Sequence, residues 1–363
     1  MVRTLFIFGG GLDREDLEKQ IKDKTSPATS FLGFMELKQD SRLKVEYLQI
    51  KRELYTFAAG IVRKYLILDT LYLLYKLHKQ INKYDVVVLT SSAYLNLLFL
   101  RRFGIFRHQK WIFLNIDLTT RSHKYAHSFI KRNVFLTTIR QADCIISLSK
   151  TQKDRLLELG LPEQQLSFIP LGIDKSFYDV LPPGNEFVLT VGNDLGRDLK
   201  TFIEAMRLLP EYKATVHCSP KNLEGLEDKI PKNINISLNK TYLDIRELYR
   251  KSSCFVIAMK PDTALVGSDC SGQTAILDSM AYGRAVIATH SPWLDGYFKD
   301  GESIVIVPSE DSKALAHAIR KVLEDEALKT RLVKNARALI DAQYNAEAMA
   351  KQIAKIIVGL TSA

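Results

Sequence analysis

Short apolar runs alternate with helix-length segments along this chain, and that alternation leaves few folds open. DVVVLT (residues 85–90), DCIISLS (143–149) and CFVIA (254–258) are apolar at consecutive positions, not at every second one. This is the pattern of strands covered on both faces, as in a parallel sheet between two helical layers. Similar runs fall at 4–8, 44–49, 111–115 and 166–170, and again at 187–191, 213–218, 234–237, 285–288 and 304–307. Apolar residues at helical spacing mark 53–81, 93–102, 121–141 and 150–159, then 198–209, 243–251, 311–324, 327–341 and 345–360. Residues 12–43 read as a polar connection. Parallel strands need such crossovers, and ligands of these sheets sit beyond the carboxyl ends of the strands.

The rhythm lapses once, at DKSFYDVLPPGNE (174–186), which carries two prolines and a glycine. A chain of 363 residues is long for one core. The expected fold is α/β, with two Rossmann-like domains facing each other across a cleft. The first spans 1–178, a linker spans 179–186, the second spans 187–343, and a C-terminal helix spans 344–363. The excess of basic residues belongs to one half. Residues 1–178 hold 28 Lys+Arg against 17 Asp+Glu, and the remainder holds 23 against 24. Within 41–140 the count is 18 against 5, so an anionic partner for the first half is expected.

Several classes are disfavoured. No stretch of 18 residues is apolar and uncharged, and MVRTLFIFGGG reads as a first strand and glycine turn, not as a signal segment. The four cysteines form no CxxC pair, which fits a reducing, cytoplasmic setting. His123 and His127 stand four apart but lack the glutamate of HExxH, so no metal is expected. No zinc, KH or RNP pattern marks a specific nucleic-acid binder.

VGSDCSGQTAILDSMAYGRAVIAT (266–289) joins a small-residue loop, an apolar-periodic helix stopped by Gly283, and a buried strand. The free N–H groups at such a helix start favour phosphate.

Four segments in order resemble the GT-B glycosyltransferases of the group-1, Glu-x7-Glu type. They are FIPLGID (168–174), VGNDLGRDLKTFIEAM (191–206), SGQTAILDSMAYGRAVIAT (271–289) and DGESIVIVPSEDSKALAHAI (300–319). The resemblance covers about residues 166–340 well and the first half weakly. It implies a second domain that binds a nucleotide-activated sugar and a first that holds the acceptor. It also implies a C-terminal helix packed back on the first domain and hinge closure near 173–186.

Residue by residue, the resemblance implies that Arg197 meets the donor diphosphate, with Asn193 and Lys200 nearby. Ser271, Gly272, Gln273 and Thr274 would cradle the same group, and Asp278 would hold ribose hydroxyls. Gly10 and Gly11 resemble the family's glycine turn near the donor. The first Glu of the Glu-x7-Glu pair falls at Cys270, which cannot grip a sugar as a carboxylate does, and Asp269 is the adjacent alternative. The family's usual His in the first domain is absent, and NIDL leaves Asp117 as the acidic candidate, either a base for the acceptor or a positioning group.

The expected reaction is hexosyl transfer from a nucleoside-diphosphate sugar, UDP or GDP first among the bases, with no cofactor. The acceptor would be a lipid-linked molecule or saccharide at the inner face of the plasma membrane, reached by peripheral attachment to anionic lipid. A sugar-nucleotide epimerase of the same fold and a non-catalytic binder stay open as alternatives.

Overall fold

The computed structural model describes residues 1–9, 13–49, 77–182, 184–238, 240–261 and 269–362. The chain forms two compact units. One comprises Met1–Lys22, Ser30–Pro170 and Glu347–Ala363; the other comprises Asp23–Thr29 and Leu171–Ala346.

The first unit holds a six-stranded sheet of β1 (Val2–Phe8), β2 (Leu43–Gln49), β3 (Val86–Leu89), β4 (Lys110–Asn115), β5 (Cys144–Ser147) and β6 (Leu166–Phe168). Every pairing is parallel, in the order β2-β1-β3-β4-β5-β6. Its inner strands are buried along nearly their whole length, as their consecutive apolar residues require: Val86–Leu89 are all at 0% exposure, whereas the edge strand β2 begins with alternating buried and exposed residues. One helical layer packs on the sheet through Leu97, Leu98, Phe135, Ile139 and Leu156. On the other side Phe6, Phe8, Phe31, Phe34 and Tyr47 stack edge to face.

The second unit repeats the plan with β7 (Phe187–Val191), β8 (Ala214–His217), β9 (Ile234–Ser237), β10 (Ser252–Ile257), β11 (Val286–Thr289) and β12 (Val305–Val307), in the order β12-β11-β10-β7-β8-β9, again all parallel. In each unit the first strand in sequence has its successor on one side and a later strand on the other. The connections therefore leave in opposite directions from β1/β3 and from β7/β10. Such a switch point opens a crevice at the carboxyl ends of the strands.

Three local expectations change. The polar region 12–43 contains the helix Arg14–Lys22, whose apolar stripe is too thin to read because Arg14 and Leu17 are its buried residues. The basic segment 121–141 is two helices, Leu118–Tyr125 and Phe129–Ile139, because the Ser128 side chain caps the second by accepting from the Lys131 N–H. Residues 179–186 do not run between the units but belong to the second. The Arg284 guanidinium donates to the carbonyls of Leu181 and Pro182, and Gly184 lies against the Lys251 carbonyl, where a Cβ would come within 2.4 Å. Pro182 and Gly184 thus belong to irregular chain laid on a core. Of the expected helix 53–81, residues 51–76 lie outside the described residues and 77–81 are helical.

Candidate functional site

The switch point of the second unit is lined by the chain that follows β7 and β10. After Val191 the chain turns at Gly192, runs through Asn193–Asp194–Leu195–Gly196–Arg197, and enters the helix Leu199–Arg207 with Asp198 as its cap. The Asp198 N–H donates to the Ala258 carbonyl and the Lys260 N–H to Gly196, tying this loop to the end of β10. Arg197 is thereby drawn inward, 7% exposed.

The guanidinium of Arg197 reaches the next loop, where Nη1 donates to Ser271 Oγ at 3.1 Å. Ser271 Oγ donates in turn to Asp194 Oδ1 at 3.0 Å, and the Gly196 N–H donates to the same oxygen at 2.6 Å. Two glycines make the room. A Cβ at Gly192 would fall 2.3 Å from Arg197 Nε, and one at Gly272 would fall 2.9 Å from Nη1 and 2.7 Å from Ile257 Cδ1. Gly272 also has φ +91°, which a side chain disfavours, and it is the cap residue of the helix Gln273–Ala281. Burial lowers the Arg197 pKa to about 10, with Asp194 holding it up. Nε is buried and has no hydrogen-bond partner among the described residues. Arg197 is thus a buried, incompletely paired cation beside the start of the helix Gln273–Ala281, where the Gln273 N–H donates to the Cys270 carbonyl.

Farther along the same helix, partly buried Asp278 accepts from the Tyr178 hydroxyl at 2.6 Å. Tyr178, Tyr249 and Tyr282 pack together, with ring centroids 4.8 and 4.9 Å apart. Burial pushes the Asp278 carboxyl up to about 7, against the lowering effect of the Tyr178 hydrogen bond. Burial also raises the Tyr178 phenol well above its ordinary range, so it serves as donor.

The structure thus brings together Arg197, Ser271 and Gly272 and sets Asp278 on the helix they open. Gln273 is buried and its side chain meets the Tyr297 hydroxyl. Asn193, Lys200 and Thr274 are exposed, and Asp269 and Cys270 form a half-exposed turn. Gly10, Gly11 and residues 266–268 lie outside the described residues. Asp117 sits in the first unit, two residues beyond β4, where Oδ2 accepts from Ser92 Oγ at 2.5 Å and from Arg121 Nε at 3.1 Å. Asp194, Tyr178 and Trp293, whose indole N–H donates to the Ser271 carbonyl, are site residues that the sequence reading did not select. Among the described residues no His, Cys, Asp and Glu cluster is arranged to hold a metal, and no helix is long and apolar enough to cross a membrane.

Known proteins share this arrangement of strands and loops. The pattern described as "Glycosyl transferases group 1" matches residues 175–339, and "Glycosyltransferase Family 4" matches 39–177. The lipopolysaccharide core biosynthesis glycosyltransferase LpsE of Rhizobium meliloti is 23% identical over 227 residues, which is 59% of this chain and 64% of that relative's length. A crystal structure of HepE from Anabaena in complex with UDP and glucose superimposes with a TM-score of 0.72 at 14% identity, covering 99% of this chain and 100% of that one. Sucrose-phosphate synthase from Thermosynechococcus elongatus gives 0.71 at 15% identity, covering 100% of both chains. These two structures establish the GT-B fold.

Proposed function

This chain belongs to the group 1 glycosyl transferases, as a divergent member, and from that premise we propose that it moves a sugar from a nucleoside-diphosphate sugar to an acceptor hydroxyl. The observation that carries the reading is Arg197, a buried guanidinium with an unpaired Nε, framed by Gly192 and Gly272 at the start of the helix Gln273–Ala281. When the bond from the anomeric carbon to the diphosphate breaks, negative charge gathers on the leaving group. Arg197 and the N–H groups of the helix start offset that charge where it develops. Asp278 is the group for the ribose hydroxyls. In the first unit Asp117, held by Ser92 and Arg121, is the candidate that receives or orients the acceptor O–H. HepE binds UDP, which makes UDP the first base to try, with GDP next. We read the acceptor as a lipid-linked molecule or saccharide at the cytoplasmic membrane face.

Incubation with UDP-, GDP- and ADP-sugars, followed by product analysis, tests the reading. One donor is expected to be consumed, slowly by water and faster when an acceptor is added. Conversion of the donor sugar to its epimer without acceptor would replace this reading with an epimerase. Failure to consume any donor would contradict it.

A further inference from the structure

The helix Phe129–Ile139 is half core and half unpartnered. Phe135, Leu136 and Ile139 are buried in the first unit, whereas Phe129, Ile130 and Val134 are 80%, 74% and 49% exposed. Lys131 and Arg132 stand among them, also exposed. Large apolar side chains at a helix start contribute nothing to capping, which Ser128 already provides.

The topology fixes where this end lies. The helix leads through residues 140–143 into the amino end of β5, so its Ser128 end is at the carboxyl end of the sheet. Asp117 lies at that same edge, just beyond β4. The helix Leu118–Tyr125, eight residues and about 12 Å long, leads from it toward Phe129. Ile116, 36% exposed, adds a further apolar side chain beside Asp117. The charge around this edge is one-sided. Between Leu118 and Val134 the chain holds Arg121, Lys124, Lys131 and Arg132 and no acid, and Asp117 just before it is paired with Arg121. Aromatic and aliphatic side chains interleaved with cations on a projecting helix end match the interface of an anionic bilayer, with the apolar groups entering the acyl boundary and the cations meeting headgroups.

We infer that the exposed helix end, residues 129–134, docks the first unit on an anionic membrane surface. The inference deepens the proposed function, because it names the surface that would bring Asp117 to a lipid-linked acceptor. Vesicle binding is nonetheless measured independently of turnover. The probe is flotation with phosphatidylcholine vesicles, with or without about 30% phosphatidylglycerol. Wild type is expected to float with the anionic vesicles and to stay behind with the neutral ones. Phe129→Ser with Ile130→Ser is expected to weaken partitioning at least about tenfold. Lys131→Glu with Arg132→Glu should weaken it more, since each basic residue near such a surface contributes about a fivefold factor. Because all four side chains are exposed, thermal midpoints should not move, and circular dichroism checks that. Equal recovery with neutral and anionic vesicles, no recovery with either, or variants that float like wild type would overturn the inference. So would sedimentation showing that wild type self-associates and the Phe129/Ile130 variant does not, which would make this face an interface between copies.

Discussion

Replacing Arg197 with methionine is expected to lower sugar transfer about 100- to 1,000-fold while leaving the fold intact. The magnitude is that of removing one preorganised group from developing negative charge. Methionine keeps most of the volume and discards the charge. The folded protein loses one hydrogen bond to Ser271 Oγ, which retains its bond to Asp194. It also loses a buried cation whose Nε is unpaired. Replacing an incompletely compensated buried charge with an apolar side chain is often neutral or stabilising, so the thermal midpoint should hold or rise. Lysine at the same position keeps the charge but not the planar fork, and an intermediate loss is expected. Steady-state rates and thermal melts on the same preparations separate the two effects. A methionine variant that keeps turnover within about threefold, or that melts far earlier than wild type, would make Arg197 a structural residue.

Asp278 predicts a large dependence of stability on pH. An unfolded chain releases this proton near pH 3.8, and the folded chain holds it to about 7. Between those values the folded state binds the extra proton, so stability falls as pH rises through the window. At about 1.36 kcal/mol per unit the full shift amounts to about 4 kcal/mol, and partial solvent access reduces this to roughly 2–4 kcal/mol. An asparagine in its place would carry no charge at any pH, and the amide oxygen would still accept from Tyr178. Asp278→Asn is therefore expected to match wild type near pH 4 and to exceed it by that amount near pH 8. Urea titrations across the range measure the difference. Parallel curves for the two proteins would show that Asp278 ionises normally in the folded state. If Asp278 also receives the donor ribose, the same variant will bind nucleotide more weakly although it is more stable.

The sheets were legible because the inner strands such as β3, β5 and β10 carry their own consecutive apolar runs, and because helix caps such as Ser149 and Asp311 act within four residues. Helix Arg14–Lys22 was not legible, since its burial rests on Arg14 and Leu17 amid charge. Arg197, Ser271 and Gly272 are marked by the family resemblance, as parts of two motifs. What it did not give is the contact between the motifs. Asp194 meets Ser271 across 77 positions, and Tyr178 meets Asp278 across 100. Periodicity and capping carry no information at that range, so neither marks Asp194 or Tyr178. The stretch 179–186 shows the converse: its prolines describe backbone irregularity, while its place in the second unit is set by Arg284, about a hundred residues away.

The central claim is that Arg197 and the Gly272 helix start form a diphosphate receptor. Its most direct test compares UDP, GDP and ADP with their monophosphates by thermal shift and calorimetry, on wild type and Arg197→Met. A ligand of the folded state raises the midpoint according to its concentration over Kd. At least one diphosphate is expected to raise the wild-type midpoint and to bind about tenfold or more tightly than its monophosphate, and the variant should lose that preference. No shift with any diphosphate, or the same preference in Arg197→Met, would contradict the account.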